Sequence, residues 1–319
     1  MAYVERREQN GRRYFYVTKN FRVGVNKWKK IRRYYGGQKP DKDKFKQILD
    51  EIDAEAKTKG WLKEKTAFKH LSDHDAKLLE DVKQNFNRWY GKLDEVARKK
   101  FDDDFLVRFT YNSNAIEGNR LSLRETSMIL SEDIIPAGAS TKDFNEAING
   151  KDTLDHIRSY KGNLGKKFIL KVHESLTKNT GVRIVGGFRD SQVRISGSEW
   201  TPPTPDRVPQ EIVRLLTWWR NYEKKLHPAE LAGIIHNMLV RLHPFTDGNG
   251  RTARVVMNWI LMRKGYPMFY IDNKEKIRYY QAIEEGDKGD DGKFIKYLAE
   301  TIVNQHTFPS KDAQNAKTQ

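Results

Sequence analysis

Two hydropathy rhythms divide the chain. Near the N-terminus polar and apolar residues alternate, which is the period of a strand. Tyr3 to Glu8 and Arg12 to Lys19 flank Gln9-Asn10-Gly11, a hairpin turn signal, and a third run from Trp28 to Tyr35 ends at Gly36-Gly37. Farther on, apolar positions recur at helical spacing. A Lys/Asp/Glu-rich connector is predicted helical from Lys42, and a long polar helix from Asp73 toward Lys100, with Leu78, Val82, Phe86, Trp89 and Leu93 facing a core. The next helix runs to Ile116 and stops at Gly118. Others are predicted over Leu123–Leu130, Thr141–Tyr160, Lys166–Thr177, 210–225 and Ala229–Leu242. A last pattern, Ala253, Val256, Met257, Ile260 and Leu261, ends at Gly265-Tyr-Pro267. One stretch departs from the helical period: in Gly187–Gly197, Val193 and Ile195 alternate with Arg194 and Ser196, which predicts a strand. The fold class is mainly α. A small β-rich basic module spans 1–38, a connector and helical region 39–100, a helical domain 101–306 and a polar tail 307–319.

Composition narrows the class. The chain has 319 residues, a net charge of +16 and no cysteine. Disulfides, thiol catalysis and cysteine-based zinc sites are thereby excluded. The charge fits an acidic partner (nucleic acid, nucleotide or an acidic protein surface) or simply a soluble basic surface. No apolar run approaches the ~20 residues of a membrane-spanning helix, and the first residues lack the apolar core of a signal peptide. A cytoplasmic protein without a membrane partner is expected.

The densest chemistry lies in His243-Pro-Phe-Thr-Asp-Gly-Asn-Gly-Arg-Thr-Ala-Arg254. Pro244 biases His243 away from helical geometry, so a helix should end there. Asp247-Gly248-Asn249-Gly250 then turns the chain into the next helix. Its glycines let successive N–H groups converge at the positive end of that helix, making an anion nest. Arg251 and Arg254 share one helix face at a terminus that prefers anions, a conflict that a bound polyanion would resolve. Asp247 sits at the lip, suited to a hard cation on phosphate oxygens. His243 titrates near neutrality, as a general base must. The chemistry inferred is phosphoryl or nucleotidyl transfer to a hydroxyl. His236, two turns before His243, reads as a scaffold histidine or as one that orients His243. His173 reads as a core or buttressing histidine.

This stretch resembles the Fic signature, His-x-Phe-x-Asp/Glu-Gly-Asn-Gly-Arg-x-x-Arg, at every fixed position. The resemblance implies an all-α core that transfers AMP from Mg-ATP to a Ser, Thr or Tyr hydroxyl of a protein. His243 would be the base, Phe245 a buried anchor and Asp247 the Mg²⁺ ligand. Gly248, Asn249 and Gly250 would cradle the phosphates, with Thr252 and Ala253 in the same turn. Arg251 would bind the β/γ end and Arg254 the γ-phosphate. Ser113 and Glu117, four apart and followed by Gly118, resemble the family's inhibitory motif over Ser113–Gly118, which implies that Glu117 pairs with Arg254. Gly187–Gly197 resembles the Fic flap, a β-hairpin with Val193, Arg194, Ile195 and Ser196 at its centre. Tyr279 and Tyr280 match tyrosines that flank adenine. Asp287 stands where other Fic proteins place Asn, which leaves the nucleobase contact open. Glu146, Asn149 and His173 match positions commonly filled that way.

The function expected is therefore a protein adenylyltransferase restrained by Glu117, with ATP as co-substrate and Mg²⁺ as cofactor. Its partner would be a protein substrate, which could be the chain itself, and a homodimer is left open. Two rivals stand beside it: a de-AMPylase in which Glu117 activates water, and a non-enzymatic nucleic-acid-binding regulator on a Fic fold. The second rests on residues 1–38, where Lys and Arg interleave with Tyr14, Phe15, Tyr16, Trp28, Tyr34 and Tyr35. That segment distantly resembles the three-stranded DNA-binding sheets of tyrosine recombinases. The alternative for it is a packed sheet with a solvated basic face.

Overall fold

The structure, a computed structural model, describes residues 2–24, 27–59, 61, 70–195 and 197–306. The expected tail over 307–319 and Ser196 of the expected flap lie outside the described residues. The chain divides into two compact units, 1–67 and 68–319, so the region expected as 39–100 is shared between them.

The first unit is an antiparallel sheet in the order β1 (Ala2–Gln9), β2 (Arg12–Gly24), β3 (Lys27–Gly36), followed by helix α1 (Lys42–Thr58). Asn10 and Gly11 take φ of 51° and 71°, the left-handed pair of a two-residue hairpin turn, and set Gln9 opposite Arg12. Alternation then assigns the faces. Val17, Phe21 and Ile31 point to one side and are buried with Ile52 and Ala56 of α1. Lys19 reaches Asp53 at 2.6 Å, which ties strand to helix on that same side.

The second unit holds α2 (Asp73–Lys92), α3 (Glu95–Ile116), α4 (Leu123–Ser131), α5 (Thr141–Ser159), α6 (Lys166–Thr177), α7 (Val208–Tyr222), α8 (Pro228–Leu242), α9 (Asn249–Arg263), α10 (Lys276–Asp287) and α11 (Gly292–His306). The long helix expected from Asp73 toward Lys100 is broken. Leu93 adopts an extended conformation, and the Asp94 carboxylate accepts the Ala97 N–H at 2.8 Å. Asp is a strong N-cap, and capping here wins over an apolar stripe that would have tolerated continuation. The strand expected around Val193 and Ile195 also does not pair. Among the described residues this segment joins no sheet, and its local bond is a turn from Ser198 N–H to the Ile195 carbonyl at 3.2 Å. A lone hairpin without a covering face is marginal in water, which accounts for the difference.

Helix α9 occupies the centre. From Arg251 to Leu261 every residue is buried, and α8, α6, α5 and α3 all pack on it. A helix enclosed on all sides cannot keep a polar face toward water. Among the described residues no helix is long and apolar enough to cross a membrane.

Four histidines are buried within this unit, His173, His227, His236 and His306, and burial lowers the pKa of each. Burial holds the imidazole pKa of His173 down at about 4, of His227 at about 4 and of His236 at about 3. In the unfolded chain each would titrate near 6.5. The unfolded state therefore binds more protons below that value, so the histidine contribution to stability is complete above pH 6.5 and is lost as pH falls toward the folded values. Each unit of depression corresponds to ~1.4 kcal/mol per histidine. The urea midpoint of the helical unit is expected to fall continuously from pH 6.5 to 4.5, before most carboxylates titrate. A flat midpoint over that window would contradict the neutral, buried assignment.

Candidate active site

Helix α8 ends on His243, which adopts the left-handed conformation with φ 47° and ψ 57° while its N–H still donates to the Leu239 carbonyl at 3.0 Å. Pro244 excludes the helical region as expected, but the residue turns left-handed rather than extended. A non-glycine residue there is uncommon and is held by its surroundings. Arg189, itself buried, supplies them: its backbone N–H donates to the Pro244 carbonyl at 2.9 Å and its Nε to the His243 carbonyl at 2.8 Å. It also reaches the carbonyls of Ser191 and Pro203. Sequence reading missed Arg189, whose only signal was its place at the base of the expected flap.

The His243 ring is fixed by a 3.2 Å contact from Nδ1 to the Val240 carbonyl. A carbonyl only accepts, so Nδ1 carries the proton and Nε2 keeps its lone pair. Burial keeps its pKa below the ordinary value, so the ring is neutral at pH 7.

The turn after it is built on Phe245. Its ring stacks on His173 at 3.7 Å with the planes 5° apart. Asn249 closes a two-way bridge on the Phe245 backbone, donating to its carbonyl and accepting its N–H, each at 2.9 Å. The Asn249 side chain is thus structural, and only its backbone faces the nest. His173 Nδ1 accepts the Gly186 N–H at 3.2 Å, so its Nε2 donates to the Asp247 carbonyl at 3.0 Å. Gly248 has φ 77°, and a Cβ there would lie 2.8 Å from Thr177. Thr252 and Ala253 are buried behind the turn, and the Thr252 N–H is already bonded to the Gly248 carbonyl.

The two arginines do not act as a pair. Arg251, 2% exposed, is held at 2.8 Å by Glu146 of α5, 4% exposed, whose other oxygen accepts from Asn119 at 2.8 Å. The other terminal nitrogen of Arg251 lies 3.5 Å from the Asp247 carboxylate, so Arg251 spans from α5 to the lip of the turn. Arg254 donates Nε to the Ser113 hydroxyl at 3.0 Å, and Nη2 to both the Ser113 carbonyl and the Glu117 carboxylate at 2.8 Å. The conflict expected between the arginines is resolved by carboxylates, Glu146 and Asp247 for Arg251 and Glu117 for Arg254. Asn119 and the charge of Glu146 were not assigned roles in advance, because their partners are far apart in the chain.

Glu117 is the last residue of its helix end, partly exposed, with its carboxylate over the start of α9. A Cβ on Gly250 would stand 2.3 Å from its Oε1. The carboxylate thus occupies the space beside the first free N–H groups of α9, where a helix terminus attracts anions.

Of the expected nucleotide-flanking residues, Tyr279 is buried. Its hydroxyl lies 2.8 Å from His236 Nε2 and 3.4 Å from Arg254. It supports the arginine and offers no stacking face. His236 contacts Asn237 and Tyr279 and has no contact with His243, which fits the scaffold role. Tyr280 is exposed, its hydroxyl on the Ile116 carbonyl at 3.4 Å. Asp287 accepts from Ser198 at 3.3 Å, which brings the end of α10 beside the segment of Val193, Arg194 and Ile195. Among the described residues no group of three or more His, Asp or Glu could hold a metal. Asp247, with its side chain 47% exposed, fits an ion such as Mg²⁺ that takes one carboxylate and completes its shell with phosphates and water.

The centre of the helical unit is thus a buried, arginine-bearing helix preceded by a histidine and a glycine turn. Residues 163–261 match the Fic/DOC family. The chain is a Fic-domain protein. It is 30% identical over 240 residues to a protein adenylyltransferase Fic from Nematostella vectensis, covering 70% of this chain and 56% of that protein. A second relative of the same name, from Drosophila willistoni, is 33% identical over 208 residues, 64% of this chain and 41% of that one. The chain spans about half the length of the relatives it matches. Among solved structures, a Fic domain containing signaling protein from Bacteroides thetaiotaomicron matches with TM-score 0.65 and 27% identity, over 73% of this chain and 94% of that one. Fic-1 from C. elegans matches with TM-score 0.66 and 25% identity, over 86% and 76%.

The buried Arg251–Glu146 pair yields a stability test. Glu146→Ala leaves the buried guanidinium with only its longer, 3.5 Å contact to the half-exposed Asp247, at an expected cost of about 3 kcal/mol. Replacing both partners, Glu146→Leu with Arg251→Met, removes the charges together and should cost less. Thermal melts of the two variants compare them directly. A single substitution no worse than the double would show that the pair does not hold the interior charge.

Proposed function

We propose that the chain transfers AMP from ATP to a hydroxyl of a protein and is restrained by Glu117. The observation that carries the reading is the placement of Glu117 on Arg254 and over the N-terminus of α9, beside a neutral, oriented His243. In the proposed reaction the target hydroxyl oxygen attacks the α-phosphorus, and the bond from that phosphorus to the pyrophosphate oxygen breaks. His243 Nε2 accepts the hydroxyl proton. The first N–H groups of α9 hold the departing diphosphate, and Arg254 binds its end once Glu117 has left. Bound Mg²⁺, held by Asp247, would neutralise phosphate charge. The segment around Val193 and Ile195, which joins no sheet and lies beside Asp287, is suited to hold a target strand through its backbone.

While Glu117 keeps Arg254, the triphosphate cannot settle in the same space, and misplacement by ~1 Å can cost ~10²-fold in rate. Self-labelling with labelled ATP should therefore be faint in the wild type and rise at least ~10-fold in Glu117→Gly. It should fall by ~10²–10⁴-fold from that level when His243→Ala is added. Equal labelling of wild type and Glu117→Gly would end the restraint reading. Loss of label from a pre-labelled protein, with none gained, would favour the reverse reaction.

The pH dependence follows from His243. Protonation blocks the acceptor lone pair, so transfer by Glu117→Gly should fall on the acid side with a midpoint below 6.5. A rate independent of pH from 7.5 to 5 would remove His243 as the base.

A further inference from the structure

The N-terminal sheet has one face that its own helix does not cover. On that face stand Tyr3, Glu5 and Arg7 of β1, Tyr14, Tyr16 and Thr18 of β2, and Trp28, Lys30, Arg32 and Tyr34 of β3. The assignment follows from alternation and from the register Glu5↔Tyr16, Thr18↔Arg32 and Tyr16↔Tyr34. Residues 1–38 carry eleven Lys and Arg against two acids, over half of the chain's net charge of +16. Trp28 is 61% exposed and Tyr34 59%.

We propose that this face binds double-stranded DNA. Three features favour it. First, the cations are held in a fixed set: Glu5 draws Arg7 to 3.0 Å, Arg32 to 3.1 Å and Lys30 to 3.3 Å, placing charge on both edge strands. One cation on β1 and two on β3, to either side of the tyrosines of β2, suit phosphates on both sides of a groove. Second, the width fits. Strands ~4.8 Å apart put the edge backbones of the face ~10 Å apart, comparable to the ~12 Å width of a major groove. Third, the central tyrosines are not free stacking platforms. The guanidinium groups of Arg32 and Arg7 sit 5.6 and 6.0 Å from the Tyr16 ring, and Tyr34 packs tilted against Tyr16 at 5.5 Å and Tyr14 at 6.3 Å. A single-stranded ligand gains most of its affinity from successive bases stacked on open rings; here the most open rings, Trp28 and Tyr34, lie on one edge strand, and the middle of the face is occupied by the Tyr16 cluster.

The test uses the full chain and fluorescence anisotropy with a short mixed-sequence duplex, its separated strand, and vesicles of anionic lipid. The duplex should bind at low salt and weaken steeply as salt rises. Arg7→Gln with Lys30→Gln should weaken it at least ~10-fold and reduce the salt slope by about 2. Glu5→Gln should tighten it, since it removes the one acid on the face; a variant that merely unfolds would not. Lys99→Gln with Lys171→Gln, which removes the same charge from the helical unit, should leave binding unchanged. The proposal is overturned if the duplex does not bind at low salt. It is overturned equally if the two double variants lose equally, if Glu5→Gln weakens binding, or if strand or vesicle is preferred. None of these outcomes depends on adenylyl transfer.

Discussion

Two guanidinium groups sit on a helix that is enclosed on every side, and the helical unit is arranged around that fact. A buried charge without a partner is intolerable, so α9 can pack only where other elements bring carboxylates to it. Glu146 comes from α5 for Arg251, and Glu117 from the end of α3 for Arg254. The packing of α3 and α5 on α9 is therefore set by charge as well as by apolar surface. Ser113 and Tyr279, the latter held by His236, satisfy much of the remaining Arg254 fork, so its orientation does not rest on Glu117 alone.

The two ion pairs differ in one respect. Glu146 is almost fully enclosed and is itself bonded to Asn119, whereas Glu117 stands at a helix end next to Gly118, which has φ 94°, and keeps part of its surface in water. Leaving the first pair would strand two charges in the interior. Leaving the second returns one carboxylate to solvent and leaves Arg254 three hydrogen bonds to protein. Only the second pair is cheap enough to exchange. Asn119 links them along the chain, two residues after Glu117, and so limits how far the end of α3 can move without disturbing Arg251.

The signature was legible in the sequence because its parts are local. A histidine before proline, a glycine turn and arginines three apart can be read from one dozen residues, and the helices on either side declare themselves by period. The Ser113-to-Glu117 spacing was legible for the same reason. What failed was what depends on tertiary partners. Nothing local says that Arg251 faces Glu146, 105 positions away, or that Tyr279 is enclosed by His236 and Phe294 while Tyr280 beside it is exposed. Leu93 and Asp94 carried a capping signal that the apolar stripe concealed. The alternation at Val193 and Ile195 is real, but alternation predicts a strand only where a partner strand exists. The left-handed His243 lay beyond pre-proline statistics, because Arg189 reaches across from another segment to hold it.

Gly250 shows how closely two anions compete for one place. Its missing side chain leaves the space in which the Glu117 oxygen sits, at the end of α9 where unpaired N–H groups project. Any larger residue would push the carboxylate off, and would also crowd whatever phosphate took its place. The site therefore cannot be closed against Glu117 while remaining open to a phosphate. On the reading proposed above, restraint and substrate binding share one structural requirement. The balance between them is then set by differential affinity alone. A ligand shifts the equilibrium only by as much as it prefers the state without Glu117, so tight binding in a pose that tolerates the carboxylate changes nothing. Release must come from something that acts on the end of α3, or from a ligand whose terminal phosphate needs Arg254 more than Glu117 does.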